Sequence, residues 1–396
     1  MHGSPVTQTQ RAFALDIDAA RVGRRYAAAG VPCSDTPLHD LASALAASPV
    51  WKDAGPVLLV VREDGPGRLG ILGDFPPQLA SSIQTMEWQI DFSLDRLRYV
   101  SYQQVEADCA ILAAQLTERL GREELADCRF VAIPRGGWNV LGILSYMLDI
   151  QDHRQDPDSE QTVIAVDDCA LSGLRCAEFL EQDTAERVVF AHLYSHPELR
   201  AAVENREPRV LACLGARDLV DHAPDDLGGK YEGWKSEWEA RSDRRAYWAG
   251  HAEHICFPWN EPDVSVWNPA SRSTEAGWRV VPPSACVKNR IRPNPNVSVQ
   301  VQPPAAGELR PLPSTLFGEL SGKVLVANVD SGECLELKGT AADMWNAILR
   351  HENVDQAVQS LCDLYAVRDS ELRPDLNELI ASLTSKGVLG PGQGAG

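Results

Sequence analysis

The sequence predicts an α/β protein: a doubly wound, mostly parallel sheet, preceded by an N-terminal α/β extension and followed by a C-terminal winged-helix-like domain. Three observations predict it. Apolar runs alternate with helix-like stretches from about residue 99 to 286, the pattern of strand–helix–strand units with right-handed crossovers. One run, Val163–Val166, is wholly apolar and leads straight into Asp167 and Asp168, as suits a strand buried on both faces. After a Pro-rich stretch at 287–313, a short β-meander and three helical segments fill 314–390.

The elements follow in order. Residues 1–20 read as frayed, and 1–98 as an extension of unassigned function with a helix (LHDLASALAAS), a strand at 56–63 and a hairpin partner at 67–75. Ser101 and Gly121 bracket a helix as cap and stop. A strand at 129–134 runs into Arg135, Gly136 and Gly137, and then a helix. The acidic strand follows, with a helix beginning near Leu174. Further strands are expected at 187–195, 208–215 and 254–259. Six prolines between 287 and 313 predict an extended linker. In the last module, Thr340 and Asp355 are expected helix caps and Gly387 a stop.

Length and composition narrow the classes. A chain of 396 residues suits two or three domains. A net charge of −19 argues against a general nucleic-acid binder. No apolar run approaches the ~20 residues of a membrane span. The ten cysteines form no CxxC pair, so they read as reduced thiols and the chain as cytoplasmic.

Two turns carry ligand-type chemistry. In the first, Gly136 and Gly137 allow a backbone to approach an anion, and Arg135 supplies a bidentate charge. In the second, Asp167 and Asp168 can hold sugar hydroxyls, directly or through Mg²⁺. The turn Cys169, Ala170, Leu171, Ser172, Gly173 then opens a helix whose first N–H groups favour a phosphate. An ordinary helix-capping loop is the simpler reading of an isolated acidic pair, but the upstream glycine turn argues against isolation. His251, His254 and Cys256 form an H-x-x-H-x-C pattern that reads as packing rather than metal binding. Cys169 reads as a buried thiol, not a nucleophile.

Residues 99–286 resemble a type I phosphoribosyltransferase, on FVAIPRGG, VIAVDDCALSG and HICFPWNEPD in that order. The resemblance implies pyrophosphate binding by Arg135, Gly136 and Gly137. It implies ribose and metal binding by Asp167 and Asp168, which would be the catalytic pair with Mg²⁺. It also implies monophosphate binding around Cys169–Gly173, and a base-side contact at Trp259. The chain departs from the family pattern at Leu171, where Thr is usual, and at Arg175, where Thr or Ser is frequent; Arg175 would then contribute a charge to the same ligand.

Residues 314–390 resemble the PqqD-like recognition domains that bind leader peptides of ribosomal peptide natural products, on VLVANVDSGECLELKGTAADMWNAI and the two helical segments after it. The resemblance implies an added peptide strand along Glu333, Cys334, Leu335, Glu336 and Leu337. Leu376, Leu379, Ile380 and Leu383 would form the other wall. A DNA-binding winged helix is disfavoured by the acidic final helix. Together the resemblances imply a peptide-modifying enzyme with a precursor peptide and phosphoribosyl diphosphate, or a related sugar phosphate, as partners. The alternatives are a non-catalytic sugar-phosphate-binding scaffold and a phosphoribosyltransferase acting on a small molecule.

Overall fold

The computed structural model describes residues 10–63, 67–150, 161–241, 245–261, 265–268, 273–303 and 307–392. They form two compact units, one from residues 1–95 and 263–396, the other from 96–262. The first unit is thus built from both ends of the chain.

The first unit opens with β1 (Gln10–Asp16), α1 (Ala19–Ala29), α2 (Pro37–Ala46), β2 (Val57–Arg62), β3 (Arg68–Phe75), α3 (Pro77–Gln84) and α4 (Met86–Asp95). The segment expected to fray therefore supplies an edge strand. The Asp18 carboxylate accepts from the Ala20 and Arg21 amides and caps α1, and Gly30 ends that helix at φ 74°. The expected hairpin of β2 and β3 forms, antiparallel. Every residue of β2 is buried: the apolar run Val57–Val61 suits a two-sided core, and Arg62 at its end donates to the Leu312 and Pro313 carbonyls.

The second unit contains β4 (Leu97–Tyr99), α5 (Tyr102–Leu120), α6 (Arg122–Ala126), β5 (Arg129–Ala132), α7 (Gly136–Leu148), β6 (Val163–Ala170), α8 (Leu174–Gln182), β7 (Val188–Ser195), α9 (Pro197–Arg206), β8 (Val210–Asp218), α10 (Ala223–Leu227), α11 (Tyr231–Glu239) and β9 (His254–Cys256). Strands β5-β6-β7-β8 form a parallel sheet in chain order, and β9 pairs with β4 instead. Alternate residues of the sheet pack on opposite sides. Ile164, Val166, Val189 and Ala191 join α5 and α7, whereas Val163, Ala165, Val188 and Phe190 join α8 and α9. The steps β5→β6, β6→β7 and β7→β8 all run the same way across the sheet. Helix α7 lies on one face of the sheet and α8 and α9 on the other.

The chain re-enters the first unit with β10 (Ser265–Asn268), β11 (Ser273–Ala276), α12 (Val287–Ile291), β12 (Val297–Val301), β13 (Leu309–Pro311), β14 (Thr315–Leu320), β15 (Lys323–Asn328), β16 (Glu333–Leu337), α13 (Thr340–Arg350), α14 (Val354–Tyr365), α15 (Asp369–Ser385) and β17 (Leu389–Pro391). The stretch expected as a linker contains α12 and β12, and β12 lies parallel to β2. The resulting sheet has the order β1-β3-β2-β12. Nearby, the Tyr26 hydroxyl donates to the Val280 carbonyl at 2.7 Å, and Trp51 packs on Trp278 with ring centroids 5.1 Å apart.

The last module is an antiparallel sheet, β14-β15-β16, followed by three helices. Gly339 and Asn353 precede α13 and α14 as caps, rather than Thr340 and Asp355. One side of the sheet, with Phe317, Val326 and Leu337, packs on Trp345, Leu361 and Leu376 from the helices. The other side, with Leu316, Leu325 and Ala327, packs on Leu58, Val60 and Leu72 of the N-terminal sheet. The N-terminal extension is therefore the second layer under this module. Both faces of the small sheet are covered, which leaves its edges as the places where it can add a partner.

Candidate functional site

The carboxyl end of β6 is where the sheet gathers polar groups. Both acids are buried there, Asp167 at 0 % and Asp168 at 4 % exposure. The Asp168 amide donates to Asp167 Oδ1 at 2.9 Å. Arg175, the second residue of α8, reaches back across the turn. Its guanidinium lies 3.1 Å from Asp167 Oδ1 and 3.2 Å from Asp168 Oδ1, and donates to the Cys169 carbonyl at 2.7 Å. The Trp259 indole N–H donates to Asp168 Oδ2 at 3.0 Å. Trp259 is itself buried, stacked on Phe257 at 5.0 Å and 4°. It holds Asp168 in place and has one ring face covered.

The glycine turn meets this pair directly. A side chain at Gly136 would fall on the Asp168 carboxylate, and one at Gly137 on the Val166 carbonyl. The Pro134–Arg135 peptide is cis, and α7 begins at once, with Arg135 exposed at its cap. The two sequence turns are thus brought together as expected. The phosphate-type turn is fastened elsewhere. The Tyr247 amide donates to the Ser172 carbonyl at 2.8 Å, Gly173 adopts φ 75° against the Tyr247 ring, and the Leu174 amide donates to Ser172 Oγ at 3.4 Å. Ala170 is buried at the strand end, and Leu171 packs into the core beneath α5 and α7.

Burial dominates the electrostatics. It pushes Asp167 well above the usual carboxylate range; the neighbouring Asp168 adds to this, and Arg175 only partly opposes it. Burial and both acids push the Cys169 thiol well up, which fits a packing residue rather than a nucleophile. On β7, His192 stands in register with Asp167. Both its ring nitrogens and Asp167 Oδ2 are buried without a hydrogen-bond partner among the described residues. Burial, then Arg200 and Arg175, lower the His192 pKa to about 3.

The donor set does not fit Mg²⁺. Two carboxylates converge, but the Arg175 guanidinium occupies their inner oxygens, and Asp167 Oδ2 is buried. Among the described residues no three His, Cys, Asp or Glu side chains gather as a metal site. His251 bonds Asp226 at 2.6 Å instead.

Sequence reasoning missed a second polar node beside the first. Asp108 of α5 is fully buried. It accepts from the Tyr194 hydroxyl, from Arg217 Nε at 2.8 Å and from Gln104 Nε2 at 2.8 Å. Tyr194 touches Phe257 edge-on at 5.9 Å, so aromatic contacts connect the two nodes. The signal was present: Asp108 lies on the same apolar stripe as Val105 and Leu112, where a charge needs a partner.

The second candidate site is the free edge of β16, which pairs only with β15 among the described strands. Glu333 and Glu336 are exposed, Cys334 and Leu335 half-buried, and Leu337 buried. On α15, Leu379 and Ile380 are half-buried, whereas Leu376 and Leu383 belong to the module's own core. Lys386 pairs with Glu333 and ties the end of the helix to the strand.

Residues 323–389 match the family model described as "Coenzyme PQQ synthesis protein D (PqqD)". No curated protein matches the chain. A solved structure described as "TbiB1 in Complex with the TbiA(beta) Leader Peptide" is similar at 16% identity, over 20% of this chain and 93% of that one, with a TM-score of 0.20. Among the described residues, no helix is long and apolar enough to cross a membrane.

Proposed function

We propose that this chain is a peptide-modifying protein of a ribosomal peptide natural-product pathway. Its PqqD domain captures a precursor peptide by strand addition at Glu333–Leu337, and its parallel-sheet unit, resembling a phosphoribosyltransferase, takes phosphoribosyl diphosphate or a related sugar phosphate. The observation that carries the peptide half is an unpaired strand edge inside a segment matching PqqD. The sugar-phosphate half is supported by the contact between the Gly136–Gly137 turn and Asp168. In this reading the turn's backbone and Arg135 receive an anionic leaving group, and Asp168, steadied by Trp259, faces the sugar.

Incubating the protein with phosphoribosyl diphosphate and a candidate precursor peptide, and then weighing the peptide, tests the enzyme reading. A phosphoribosyl-sized mass gain is expected. In calorimetry, Asp167→Ala with Asp168→Ala should abolish phosphoribosyl diphosphate binding; unchanged affinity would sink the site assignment.

The ion pairs of Arg175 with both acids favour a second reading, a binder that holds its ligand without a metal. The wild type should then bind phosphoribosyl diphosphate equally well with Mg²⁺ or with a chelator, whereas Arg175→Thr should need Mg²⁺. A wild type that binds only with Mg²⁺ would exclude this reading.

A further inference from the structure

The three-stranded sheet of the PqqD module has two edges, β14 and β16, and they are treated differently. Gln300 on β12 and Gln302, the residue after its end, reach over to β14. The Gln300 side chain accepts from the Glu319 amide at 2.8 Å and donates to the Glu319 carbonyl at 2.5 Å. The Gln302 side chain accepts from the Phe317 amide at 3.4 Å and donates to the Thr315 carbonyl at 3.4 Å. A glutamine amide carries one carbonyl acceptor and an N–H donor, as a peptide group does. Two of them, two residues apart, follow β14 in antiparallel sense, Gln300 to Glu319 and Gln302 to Phe317 and Thr315. They do with side chains what a neighbouring strand does with backbone. Gly318 makes room for this: a Cβ there would meet Gln300 Oε1 at 2.7 Å and Leu58 Cδ2 at 2.6 Å.

We infer that Gln300 and Gln302 seal the β14 edge against strand addition, so that an incoming strand is directed to β16. An unsealed edge is a template for a second copy of the chain. β14 would be such a template, because Thr315–Leu320 is an apolar-rich run. The direction toward β16 rests on the strand-addition reading above; the seal itself does not.

The test replaces both glutamines by methionine, which keeps length and packing but removes the amide. Sedimentation velocity over a concentration series, without peptide, should show Gln300→Met/Gln302→Met self-associating beyond the wild type. Hydrogen exchange should show faster exchange of the Phe317 and Glu319 amides. A variant that sediments as the wild type and keeps both amides protected would overturn the seal. If the double variant fails to fold, the half-buried Gln300→Met alone should release the Glu319 amide; continued protection would overturn the inference equally. None of these measurements uses peptide, so failure of strand addition at β16 would show only in peptide binding.

Discussion

Lowering the pH from about 6.5 to about 4 is expected to cost the sheet unit about 3 kcal/mol through one residue, His192. Its folded pKa is about 3, against an ordinary 6.5. The folded state refuses a proton that the unfolded chain accepts, so stability is complete above about 6.5 and is lost as pH falls toward the folded value. Asp167 works in the opposite sense. Its folded pKa is raised, so ionising it costs stability as pH rises, and acidification relieves that cost. His192→Leu separates the two. With both unpartnered nitrogens removed, the variant should be at least as stable near neutrality, because a buried unpaired polar group costs about 1–3 kcal/mol. Its stability should hold or rise as pH falls, while the wild type declines. Denaturation followed by hydrogen exchange of the β7 amides reads this; parallel curves for the two proteins would refute it.

Gly136→Ala and Gly137→Ala should each disable the sheet site. At Gly136 the new methyl group falls on the Asp168 carboxylate, which Trp259 and Arg175 hold in place. At Gly137 it meets the Val166 carbonyl, which is backbone and cannot swing aside. Overpacking of this kind costs about 1–3 kcal/mol. If the site takes a sugar phosphate as proposed, affinity for it should fall at least 100-fold, about 2.7 kcal/mol, because the turn and the acid can no longer touch. Gly142→Ala on the same helix has open space and is the control. It should gain roughly 0.5–1 kcal/mol of helix stability and leave affinity unchanged. Equal affinity in all three variants would separate the turn from ligand binding.

What could be read from the sequence follows the range of the interactions. Strand β6 was legible because Val163–Val166 cannot be half-exposed, and α5 because Ser101 and Gly121 mark its ends. The meeting of the Gly136 turn with Asp168 was legible because neighbouring parallel strands carry both. The Arg175 ion pairs were not. The sequence shows an arginine at the position but not that the turn folds it back onto the acids. The PqqD module was legible as a unit, whereas the N-terminal strands were not legible as its second layer. Their apolar face is satisfied by Leu316 and Leu325, far along the chain, and no local pattern encodes such a partner. The prolines between 287 and 313 misled in the same way, since the alternating VSVQVQ between them fits β12 only once β2 is beside it.

The two-ended construction of the first unit has a consequence for synthesis. Leu58, Val60 and Leu72 leave the ribosome about 250 residues before Leu316 and Leu325, which cover them. At roughly 5–20 residues per second, that wait is on the order of tens of seconds. The sheet unit between them is continuous in sequence and can complete itself during the wait. The early hairpin cannot, and its apolar face is a natural client for chaperones. A nascent chain therefore completes the sheet layer that carries the β16 edge last, after the parallel-sheet unit has already been made.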